Sequence, residues 1–120
     1  MPVQSRLVNA AAIAASELED WGPVPVPIGT PVSQLRGRVI SANADGSEAG
    51  VWECSPGTWV RQVMDAEIAT FFSGHAVFTP DDGEAFRILP GDVVFFPANS
   101  KGVWEIRETT RKSYLTYKPG

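Results

Sequence analysis

The chain has one cysteine, Cys54, in 120 residues, so an intramolecular disulfide is excluded. That count fits a reducing cytosol, and a cytoplasmic location is the expectation. Positive charge is also scarce: ten Lys and Arg face fourteen Asp and Glu, for a net charge of -4. No run of Lys or Arg longer than the pair Arg111-Lys112 occurs. A basic footprint for nucleic acid is missing, and binding to anionic membrane surfaces is disfavoured. No apolar stretch approaches the length of a membrane span. The Ala-rich segment from Val8 to Ala15 is short and interrupted by Asn9. Only one basic residue, Arg6, precedes it, and Glu17, Glu19 and Asp20 follow closely. It reads as a short N-terminal helix or arm and not as a secretion signal.

What is present is an ordinary globular balance, 43% hydrophobic and 20% charged, enough for one domain with one core. Residues 1 to about 20 carry the only helix-like composition, through Ala10, Ala11, Ala12, Ala14 and Ala15. Four prolines follow, Pro23, Pro25, Pro27 and Pro31. Their density excludes helix and central strand, and predicts an extended arm along the outside of the domain or across to a second subunit. The division expected is therefore an arm over 1–31 and a β domain over 32–120.

From Arg38 onward, short runs of Val, Ile, Phe, Trp, Tyr and Thr alternate with turn residues. Strands are predicted near 37–43, 50–54, 58–64, 66–73, 75–79, 85–89, 92–96, 102–108 and 111–118. The breaks, such as Asp45-Gly46, Asp82-Gly83 and Pro90-Gly91-Asp92, are residues with specific turn chemistry. Closely spaced strands with no helix between them indicate an all-β sandwich or barrel. In 58–64 one face carries Val60, Gln62 and Met64, and the other Trp59, Arg61 and Val63. Neither face is cleanly apolar, so a polar side chain must point into a lumen or an interface, and the inward face stays open at this point.

These residues resemble a known superfamily. Glu67, six intervening residues and Gly74 look like the second half of the first cupin motif. Gly91, five residues and Pro97 look like the start of the second. A closer likeness is to the small RmlC-like cupins of DUF861 type that include the ureidoglycine aminohydrolase cupin domain. It is carried by Gly50-Val51-Trp52-Glu53-Cys54-Ser55-Pro56-Gly57, Glu67, Ser73-Gly74, Gly83-Glu84, Pro90-Gly91-Asp92, Phe96-Pro97, Gly102-Val103-Trp104-Glu105 and Arg111-Lys112-Ser113-Tyr114. The fold this implies is a double-stranded β-helix, the jelly-roll barrel.

Metal-binding cupins hold a divalent ion with three His and one Glu. The resemblance sets Glu67 at the Glu position, the His-x-His pair on Val60 and Gln62, and the third His on Gly102. All three imidazoles are missing, and one carboxylate with one amide would hold a transition metal weakly. No metal ligand and no cofactor are assigned. His75, which follows Gly74, reads as a structural or surface histidine.

The candidate lumen set is Glu53, Trp59, Arg61, Gln62, Glu67, Trp104, Lys112 and Tyr114. Flat apolar walls from the tryptophans with a few directed polar groups are the composition of a small-molecule pocket. Arg61 suits a bidentate clamp on a carboxylate. The plainer reading is that Glu67 simply pairs with Arg61 or Lys112 and that Trp52, Trp59 and Trp104 are packing. Cys54 reads as a buried, inert thiol, and Asp81, Asp82 and Glu84 as a solvated turn.

Three functions follow as expectations. The first is a cupin that binds a small polar metabolite, carboxylate or amide-like, without a tightly bound metal and without an assigned catalytic residue. The second, from the resemblance alone, is an enzyme of ureide or nitrogen metabolism. The third is an interaction module. A homodimer is expected, because an antiparallel barrel gains from covering its edges.

Overall fold

The computed structural model describes residues 5–119. Among these residues nine strands form one curled antiparallel sheet: β1 (Glu19–Pro23), β2 (Pro27–Ile28), β3 (Gln34–Ala42), β4 (Glu48–Cys54), β5 (Gly57–Val63), β6 (Ala66–Pro80), β7 (Phe86–Ile88), β8 (Val93–Phe96) and β9 (Ser100–Tyr117). Six of them run in the order β1-β3-β4-β9-β5-β2, and β6 pairs with β7, β8 and β9. The architecture is all-β, as the strand pattern predicts, and is the jelly-roll barrel that the cupin resemblance implies.

Two pairs of predicted strands are each one long strand. Segments 66–73 and 75–79 join in β6, and 102–108 and 111–118 join in β9. The junction in β6 is a set of register shifts between Phe71 and Ala76. Gly74 sits there at φ +97°, where an added Cβ would meet Thr109 O and Thr110 Oγ1 at 2.5 Å. Glycine gives the strand its bend at no steric cost. The bend lets β9 serve the whole barrel: its first half pairs with β5, its second half with β4, and β6 lies along both.

The proline arm takes the edge positions that proline permits. β1 pairs with β3 and β2 with β5, so the arm supplies both ends of the six-strand run. Val24, between them, is buried. The Trp21 ring lies where a side chain on Gly37 would have to go.

Of the two readings of the Ala-rich segment, short helix or arm, the α-helix is not formed among the described residues. The segment holds one 3-10 turn, Ala15–Glu17, whose preceding residue offers no side-chain cap; residues 1–4 lie outside the described part. A helix this short is costly to nucleate, and its carbonyls are claimed by arginines of the sheet. Arg36 donates to Ala15 O, Arg38 to Glu17 O, and Arg111 to Ala10 O and Ile13 O.

The core is aromatic and centred on Trp104, which is fully buried. The rings of Phe78, Phe96, Trp52, Phe71 and Trp59 lie 5.0, 5.8, 6.0, 6.1 and 6.5 Å from it. No helix among the described residues is long and apolar enough to cross a membrane.

Candidate functional site

Along β5 the alternation is settled by burial. Trp59 and Arg61 are buried, and Gln62 is exposed. The inward face is therefore Trp59, Arg61 and Val63. On β9 the inward residues are Trp104, Lys112 and Tyr114, because Trp59 stands opposite Trp104 and Trp52 opposite Lys112. Glu67, near the start of β6, comes in from the third side.

These side chains surround a cavity of about 260 Å³. Seven of the eight expected pocket residues line it: Trp59, Arg61, Gln62, Glu67, Trp104, Lys112 and Tyr114. Gln62 does so as an exposed residue on β5, not as an inward side chain. Glu53 is not part of the cavity. It follows Trp52, which faces inward, so strand alternation turns it to the opposite face. There its carboxylate accepts from Arg111 at 2.7 Å, beneath the N-terminal segment. The sequence reading missed Trp21 and Pro25, which the arm lays over the cavity, and Glu48, Trp52 and Thr116. The period-two pattern of β4 and β9 was the available signal for the last three.

At the deep end three charged side chains meet. Arg61 Nη2 donates to Glu67 Oε1 at 2.8 Å. Lys112 Nζ lies 2.6 Å from Glu67 Oε2 in an ion pair. All three side chains are buried. The cations are flanked by rings, with the Arg61 guanidinium 4.1 Å from the Phe96 centroid and Lys112 Nζ 4.3 Å from that of Trp52. Nearer the outside, the Tyr114 hydroxyl donates to half-buried Glu48 at 2.7 Å.

The charges shift one another in opposed directions. Burial pushes the Glu67 carboxyl up, but Lys112 and Arg61 beside it outweigh that and hold it below its ordinary value. Burial lowers the Lys112 ammonium, Glu67 offsets part of this, and Arg61 adds to it, so the net direction is down. Burial also lowers Arg61, against the pull of Glu67. Tyr114 is raised by burial and by Glu48. Cys54, which is not in the cavity lining, is fully buried, and burial raises its thiol to about 11. The indole N–H of Trp104 is buried without an acceptor.

This donor set does not fit the divalent metal of other cupins. Both Glu67 oxygens already face cations, and the β5 residue aimed at Glu67 is Arg61. The placement of the His-x-His pair on Val60 and Gln62 is thus one residue out of register with the inward face. The third position, Gly102, stands opposite Arg61, and a Cβ there would run into the Phe78 ring. Among the described residues no group of three His, Cys, Asp or Glu side chains is placed to hold a metal ion. His75 lies on β6 opposite Glu108 and does not line the cavity. Asp81, Asp82 and Glu84 are exposed in the turn between β6 and β7.

Solved structures with this arrangement of strands are numerous. A DUF861-family protein of unknown function from Pseudomonas syringae superposes with a TM-score of 0.74 at 23% identity, over 82% of this chain. The chain spans only 43% of that protein's length. The EutQ protein of Clostridium difficile aligns at TM-score 0.63 and 20% identity, over 79% of this chain and 81% of its own. A DUF861-family protein of Thermotoga maritima shares 27% identity at TM-score 0.54, over 56% of this chain and 76% of its own. Among curated proteins none matches. The family model of the EutQ-like cupin domain matches residues 41–114, which run from the end of β3 to Tyr114 and take in the whole Arg61–Glu67–Lys112 cluster. Fold, motif positions and family match agree, and the chain belongs to the EutQ-like cupin domains, as an RmlC-like cupin of DUF861 type.

Proposed function

We propose that this cupin domain binds a small organic anion, a carboxylate, in the cavity between β4, β5 and β9. The observation that carries this reading is the charge count at its deep end. Arg61 and Lys112 bring two positive charges and Glu67 one negative charge, which leaves one buried positive charge in excess. An unbalanced charge away from water is costly. A ligand carboxylate removes the imbalance, with Arg61 and Lys112 as its donors and the tryptophans as apolar walls. Glu48 also lines the cavity, but it lies half-buried toward the outside and, among the described residues, forms no ion pair with Arg61 or Lys112, so the cluster at the deep end keeps its excess charge. The cavity volume suits a molecule of a few carbon atoms.

The test is thermal stability of the protein against a panel of short carboxylic acids and their matching primary amides. Ligand binding to the folded state raises the melting temperature by mass action. Acids are expected to stabilise and amides not to. Equal stabilisation by both would remove the charge argument.

The functional unit we assign is a homodimer in the cytoplasm. Phe95, Ile68 and Leu115 form one outward row across β8, β6 and β9, since Ile68 is in register with both of the others. They are 57%, 42% and 42% exposed, and an apolar row of this kind favours a covering partner. Light scattering is expected to give twice the chain mass for the native protein and a single chain mass for Phe95→Lys. The single buried thiol supports a reducing compartment.

A further inference from the structure

We infer that Lys112 is a nucleophile, and that the carboxylate taken by the cavity is an oxo acid whose carbonyl carbon Lys112 captures as a Schiff base. This rests on the anion-binding reading above and deepens it. Three features of the geometry support it. Lys112 is a buried amine on the wall of a cavity large enough for a small organic molecule. Its nitrogen touches a carboxylate oxygen at 2.6 Å, close enough for a proton to pass between them. A second cation, Arg61, holds the other oxygen of that carboxylate.

Desolvation and a neighbouring cation are the two means by which proteins make a lysine nucleophilic at neutral pH. Both act on Lys112, whose ammonium burial and Arg61 destabilise. The remaining titratable groups around it are Tyr114 from the same strand, Glu48 from β4 and the Cys54 thiol. None of these supplies a second anion to the ammonium at the distance that Glu67 does.

The step balances without any co-reactant. The resting Lys112 ammonium passes one proton to Glu67. The freed lone pair attacks the carbonyl carbon, the C–N bond forms, and the carbonyl π electrons move to oxygen. The nitrogen releases a second proton, and the two protons end on that oxygen. It departs as water while the nitrogen lone pair closes the C=N bond, and protonated imine and ionised Glu67 remain. Ammonium and ketone give iminium and water, with charge unchanged. The charges of the loaded site then cancel: iminium and Arg61 on one side, Glu67 and the ligand carboxylate on the other.

The experiment is trapping with sodium cyanoborohydride, which delivers hydride to an iminium carbon. Native protein is incubated with pyruvate and reductant, digested, and each lysine peptide weighed over time. The chain has three lysines, and Lys101 and Lys118 are exposed. A merely structural Lys112 is shielded, so Lys101 and Lys118 would label first. The expected result is the reverse: Lys112 gains the mass of pyruvate less one oxygen atom at least tenfold faster, and excess propanoate slows this. Lys112→Met abolishes the fast phase and leaves labelling of the other two unchanged. If propanoate and pyruvate both stabilise the protein but Lys112 labels no faster than Lys101, the covalent inference is overturned while the anion pocket stands. If neither acid stabilises the protein and Lys112 does not label, both fall.

Discussion

Lys112 Nζ lies 2.6 Å from Glu67 Oε2, and the same nitrogen lies 4.3 Å from the Trp52 ring centroid. A lysine ammonium thus occupies, with Arg61, the space around the one carboxylate that metal-binding cupins give to a divalent ion. The polar centre of the barrel is kept, but its cation is supplied by side chains. The energetic consequence is an asymmetry. Glu67 balances two cations, whereas either cation can be lost and leave a matched pair.

That asymmetry sets the order of stability among variants. Glu67→Gln leaves two buried positive charges with no anion, and breaking a buried pair in this way costs about 3–5 kcal/mol. Lys112→Met removes the excess charge and nearly keeps the volume, leaving Arg61 with Glu67, so a loss under about 1.5 kcal/mol is expected. Urea unfolding of the two variants measures both. Equal destabilisation would mean that the charge count does not govern this core.

The acid side of the pH profile follows from Glu67. Its carboxyl is held below the usual carboxylate range in the folded protein. Its ionised form therefore adds stability that is fully present above the unfolded value near 4.5 and is lost as pH falls through the folded value. The gap in melting temperature between the native protein and Glu67→Gln is expected to be wide at roughly pH 6 and to narrow toward pH 3. A gap independent of pH would show that Glu67 is not ionised in the fold.

Cys54 gives a check on the packing around the arm. Its thiol is fully buried and raised to about 11, so little thiolate forms at neutral pH. Ser33, from the segment joining the arm to β3, and Trp59 lie beside it. Alkylation by iodoacetamide at neutral pH is expected to proceed only at the rate of unfolding. Rapid labelling of native protein would mean that the arm segment opens readily.

The parts of this fold that were legible in the sequence are those written in local chemistry. Turn residues and β-branched runs marked every strand from β3 to β9, and Glu67, Gly74, Gly91 and Pro97 marked the superfamily. The fusion of 66–73 with 75–79 into β6 was not legible, because a glycine reads the same in a bulge as in a turn. Gly74 at φ +97° is such a case. The break set at Thr109-Thr110 carried no turn residue, and β9 runs straight through it. The pocket was read as composition, and its sidedness depended on one unknown. With period two, the inward turn of Trp59 and Arg61 fixes Gln62 as outward; likewise Trp52 inward fixes Glu53 outward. Trp21 was hidden for another reason. Nothing in an extended proline segment says which edge it will pair with, so its place over the cavity emerges only once β1 lies on β3.

One titration reaches the excess positive charge at the base of the cavity directly. Propanoate is added to the native protein and to Lys112→Met in a calorimeter, at the same pH and low salt. The native protein is expected to bind it, and the variant, whose Arg61–Glu67 pair is already neutral, to bind it roughly 10–100-fold more weakly, the loss of one charge-assisted hydrogen bond. Equal affinity in the two proteins, or tighter binding to the variant, would contradict the account.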